Sequence, residues 1–155
     1  MKELTRICDA APELSRAWKA RAGDRVYVKY NIYFKEDGWT VVKSDDLRYK
    51  EGECHLSKMD DALYFKELRK FMVWLPDIGQ TIDLLLEKYG HLSPLLTDFN
   101  RFVFKKGEEG RLINIYDFQI LWILFYMFKI HSKVWDGEEF HKIQINAWGD
   151  IIENT

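Results

Sequence analysis

Apolar residues along this chain fall into runs of two different periods, and the period assigns each run its element. Between Tyr116 and Trp135 the sequence YDFQILWILFYMFKIHSKVW is apolar nearly throughout. Phe118, Leu121, Trp122, Phe125 and Phe128 recur at spacings of three and four, which predicts one face of a helix. The opposite side, Gln119, Tyr126 and Lys133 with Ile123 and Ile130 between them, is only half polar. A helix apolar nearly all round is buried on several sides. The segment near 115–132 therefore reads either as the central helix of the domain or as a helix with one side against a second subunit, which would make the protein a homodimer. Asn114 is placed to cap its first turn, Asp117 stands three residues later in a capping-box position, and Lys129, His131 and Lys133 suit its negative C-terminal end. The uncharged stretch from Phe118 to Phe128 is shorter than the roughly 20 apolar residues that hydrocarbon requires, so no membrane span is expected.

The same reading gives the rest of the chain. APELSRAWKARAG predicts a short helix with Pro12 near its start and Gly23 as its stop. In the β-branched and aromatic segment that follows, Arg25 to Lys35 and Trp39 to Lys43 read as paired strands about Asp37-Gly38. Residues 45–70 mix charges with few apolar pairs and predict a long excursion holding at most a weak helix or strand. FMVWLP reads as a strand closed by Pro76. DIGQTIDLLLEKYG reads as a helix with Ile78, Ile82, Leu85 and Leu86 on one face and Gly90 as its stop. SPLLTDFNRFVFKK reads as another, with Ser93 as cap, Pro94 in the first turn and Leu95, Phe99 and Phe102 facing the core, before a loop KGEEGR. KVWDGEEFHKIQI carries a second Asp-Gly hairpin signal. The expected fold is α+β: small antiparallel hairpins packed against about three to four helices. The expected organisation is one domain over residues 1–155, with an N-terminal helix and hairpin over about 10–45 and a helical part over about 74–155.

Composition narrows the classes of function. With 155 residues, 47% apolar and 15% aromatic, the chain can bury a core large enough to offset the entropy of folding. Its net charge of −2 lacks the basic excess with which general nucleic-acid binders displace counterions. Glu3, Arg6 and Asp9 stand where a secretory peptide would carry its apolar centre, so a cytoplasmic location is expected. Cys8 and Cys54 form no Cys-x-x-Cys pair and read as reduced thiols without a cofactor.

Three segments invite chemistry. In HSKVWDGEEFHKI, His131, Asp136, Glu138, Glu139 and His141 offer imidazoles and carboxylates, the groups that bind zinc or iron and move protons. Their spacing does not preform a site, because His131 ends a helix, His141 lies beyond a turn, and only Glu139 and His141 would share a strand face. Cys54 and His55 are adjacent and point apart on a strand. Lys29, Tyr30, Tyr33 and Lys35 interleave charge with aromatic rings, as single-strand binders do, but a half-buried hairpin explains the same letters. No catalytic residue and no metal ligand is assigned on this reading. Trp135, beside Asp136, Glu138 and Glu139, instead makes an aromatic centre with a polar rim, the composition that protein interfaces favour.

Several fragments, APELSRAW, AGDRVY, VWLPDIGQ, FNRFVF, LWILFYM and KVWDGEEF, resemble in this order a group of small uncharacterised proteins encoded by phages and prophages of Gram-positive bacteria. The residues that fit the pattern are Trp74, Leu75, Pro76, Gln80, Trp122 and the turn Lys133, Val134, Trp135, Asp136 and Gly137, and the span from Val73 to Phe140 carries most of the resemblance. The chain departs from the pattern at Asp77, Ile78 and Gly79 and at the end of the central helix. The resemblance implies a phage context and brings no catalytic residues with it. The leading expectation is a cytoplasmic phage accessory protein that binds an unidentified host or phage protein without turnover. A nucleic-acid-associated phage factor is the first alternative, and a small metal-dependent hydrolase using the C-terminal histidines and glutamates is the second.

Overall fold

The computed structural model of the chain describes residues 3–21, 23–29, 34–35, 38–39, 47–50, 53–56, 72–108, 117–146 and 151–152. Its contacts separate it into two compact units, Met1–Pro76 and Asp77–Thr155. The architecture is α+β, with helices packed against small antiparallel sheets. Five helices stand among the described residues, where three to four were expected.

The first unit opens with a helix that the sequence reading left unassigned, α1 (Glu3–Asp9). Its apolar residues Leu4, Ile7 and Cys8 follow helical spacing and are buried, but two turns are too few to stand out as a pattern. Helix α2 (Pro12–Ala17) carries Pro12 in its first turn, where the missing N–H costs nothing. It ends well before Gly23, because Trp18 adopts an extended backbone. Trp18 is held by its indole N–H, which donates to Asp24 Oδ2 at 2.7 Å, and by stacking on Trp74 with ring centroids 6.1 Å apart. Gly23, at φ +92°, instead serves the turn that brings Asp24 back toward Trp18.

Strand β1 (Arg25–Val28) is flanked on both sides: its neighbours are β5 (Glu53–Leu56), with Val26 opposite Cys54, and β6 (Met72–Trp74), with Val26 opposite Trp74. Strand β4 (Leu47–Lys50) pairs with β5, giving a four-stranded antiparallel sheet in the order β4-β5-β1-β6. The expected continuous strand from Arg25 to Lys35 is therefore corrected. Residues 34–35 (β2) pair with residues 38–39 (β3) as a separate ribbon, with Phe34 opposite Trp39. The expected excursion at 45–70 supplies two strands, one of them interior to the sheet. Met72, Val73 and Trp74 are all buried; since alternate side chains point to opposite faces, both faces of β6 are covered. Helices α1 and α2 pack against this strand.

In the second unit α3 (Ile78–Tyr89) starts at a full capping box: Asp77 Oδ1 accepts from Gln80 N–H at 2.7 Å, and Gln80 Oε1 accepts from Asp77 N–H at 3.0 Å. It stops at Gly90, whose φ of +72° is open to glycine at little cost. Helix α4 (Leu92–Glu108) begins before Ser93, so Ser93 is not its cap, and runs through Gly107 into the segment expected to be a loop. Leu95, Phe99 and Phe102 face the core as expected.

Helix α5 (Phe118–His131) is the centre of this unit, packed against α3, α4 and the strand that follows it. Asp117 is its cap, accepting from the N–H groups of Gln119 and Ile120, while Asn114 lies outside the described residues. Leu121, Trp122, Phe125 and Phe128 are buried, and so are Ile123, Tyr126 and Met127 on the other sides. Along the half-polar stripe Ile123 and Tyr126 are buried and Ile130 is half-buried. Phe118 is the exception, 55% exposed: it is the first residue of the helix, and side chains tilt toward the N-terminus, so it points past the helix end. Ile78 stands exposed at the start of α3 for the same reason. Trp122 stacks on Phe99 with centroids 3.7 Å apart, and Phe125 meets Phe99, Phe102 and Trp122 edge-on or tilted. At the rim Asp98 accepts from the Tyr89 hydroxyl at 2.8 Å and pairs with Lys129 at 3.4 Å, joining all three helices. Among the described residues no helix is long and apolar enough to cross a membrane.

Candidate binding surface on the C-terminal hairpin

Helix α5 ends where Ser132 enters the left-handed region at φ +54°, a conformation seldom taken by residues other than glycine. The Ser132 carbonyl then accepts from Ile143 N–H at 2.8 Å, which fastens the far end of the hairpin to the helix end. Between them β7 (Lys133–Trp135) and β8 (Phe140–Lys142) pair as expected from the Asp-Gly signal, with Trp135 opposite Phe140 and Val134 opposite His141. Strands β9 (Gln144–Ile145) and β10 (Ile151–Ile152) form a further short ribbon.

One carboxylate organises the turn. Asp136 Oδ1 accepts from the N–H groups of Glu138 at 2.7 Å and Glu139 at 2.9 Å, while Asp136 N–H donates to the Glu139 carbonyl at 3.1 Å. Its other oxygen, Oδ2, meets His141 Nε2 across the hairpin. Gly137, at φ +109°, takes the corner that a side chain would strain. The two backbone N–H groups, Glu139 first and Glu138 next, with His141 after them, hold the Asp136 carboxyl down to about 2. The same carboxylate raises the His141 imidazole above its ordinary value by accepting a hydrogen bond from its Nε2–H.

Of the five residues that the sequence offered for metal or acid-base chemistry, the fold gathers three. Asp136, Glu139 and His141 each place a ligand atom within 4.8 Å of the others, with His141 Nε2 3.6 Å from Glu139 Oε1. His131 stands elsewhere, at the end of α5, with its Nε2 3.3 Å from the Tyr126 hydroxyl. Strand alternation alone allowed only Glu139 and His141. The third member comes from the turn, and its signal is an Asp two and three residues before N–H groups that it can accept, the Asx turn.

The predicted aromatic centre, Trp135, is half-buried with its ring 5.0 Å from Phe140, and the carboxylates of Asp136, Glu138 and Glu139 around it are exposed. Its indole N–H is enclosed with no hydrogen-bond partner among the described residues. The other pattern residues hold structural posts: Trp74 and Trp122 in aromatic stacks, Pro76 buried after β6, and Gln80 in the α3 capping box. Cys8 is a free, buried thiol whose burial pushes its pKa up to about 12, which leaves it unreactive. Lys29 pairs with Asp9, while Tyr30 and Tyr33 lie outside the described residues. The chain matches no family model, none of the curated proteins and none of the solved structures.

Proposed function

We propose that this chain is a phage- or prophage-encoded accessory protein of the bacterial cytoplasm that acts by stoichiometric binding of another protein, through the hairpin tip Trp135 to Glu139. The observation that carries the reading is the fixed turn. Asp136 accepts from the backbone N–H groups of Glu138 and Glu139 and meets His141, so the backbone that carries the exposed acidic side chains beside Trp135 is already ordered. A preordered surface loses less conformational entropy on association. Three carboxylates about an aromatic residue suit a partner with a basic rim around an apolar recess. The phage setting is supported by the sequence resemblance.

The test is capture from host lysate followed by reconstitution with the purified partner. Saturation at a fixed small-integer stoichiometry is expected. A Trp135→Ala, Glu138→Lys double variant with an unchanged melt should weaken binding at least tenfold. Equal affinity in that variant would remove the surface, and turnover of any substrate far beyond one equivalent would remove the binding role.

A second reading, a small metal-dependent hydrolase, is favoured by the gathering of Asp136, Glu139 and His141. One imidazole and two carboxylates are a donor set that zinc accepts. Equilibrium dialysis against zinc decides it. One ion per chain in the wild type, lost in His141→Ala, would support the second reading, whereas no saturable uptake would end it.

A further inference from the structure

We draw no further inference here: the strongest candidate, the exposed apolar side chains Leu92, Leu96 and Phe104 along α4, is a helix surface for which nothing in the structure shows what covers it.

Discussion

Helix α5 and the β7–β8 hairpin are joined by one residue and are held by different physics. Seven of the eight side chains from Leu121 to Phe128 are buried, so the position of the helix is the sum of many weak apolar contacts. The hairpin tip has its side chains largely in water and takes its shape from the few hydrogen bonds of one carboxylate. A change in the helix is therefore felt throughout the second unit, while a change at the tip stays local. The acidic side chains at the tip stand in solvent, while those of the helix are spent on the fold.

The largest expected effect comes from placing a charge in the helix. Trp122→Asp buries an unpaired carboxylate against Phe99, at a cost of at least several kcal/mol, comparable to the ~5–15 kcal/mol that holds a domain together. Loss of a cooperative thermal transition, or of soluble expression, is expected. A wild-type melt would overturn the contrast at its root.

Ile123→Ala sharpens the contrast, because Ile123 lies on the side of the helix that its letters left half polar. Fully buried, it should lose about 2–5 kcal/mol in urea unfolding. A loss below about 1 kcal/mol would mean that this side is not packed.

The smallest effect belongs to the tip and is read by pH. His141 titrates above its ordinary value of about 6.5 because the Asp136 carboxylate accepts a hydrogen bond from its Nε2–H. The bond thus contributes fully below that ordinary value and is lost as the pH rises through the raised one. Asp136, held down to about 2, keeps its own contribution until the pH falls toward that value. Solvent screens both groups, so global stability should hardly move. The measurement is the ring-proton titration of His141 by NMR: Asp136→Asn should bring its midpoint down toward the ordinary value, and an unmoved midpoint would mean that the pair does not form in solution.

How much of this was legible in the sequence follows from how local each cause is. The end of β6 shortly before Pro76, the stop of α3 at Gly90 and the β7–β8 hairpin at Asp136-Gly137 rest on single residues with strong backbone preferences, and all were readable. The burial of α5 was readable from its apolar circumference. Strands β4 and β5 were not, since LRYK and ECHL carry charges in place of a β pattern, and their assignment depends on β1, some 25 residues earlier in the chain. For the candidate site, the position of Trp135 and its acidic neighbours could be named from spacing. The meeting of Asp136 with His141 could not, because it exists only once the turn has closed and set β8 in register against β7.

The joint at Ser132 sets a tolerance for insertions. With one left-handed residue between the last turn of α5 and the first residue of β7, no slack exists to absorb a change in length. Adding or deleting one residue there would exchange the two faces of β7, since strand side chains alternate with period two. Trp135 and Phe140, paired through the turn, would move together away from their place beside the helix end, and the Ser132–Ile143 hydrogen bond would be lost. Variation in length between relatives of this chain is therefore not expected between helix and strand.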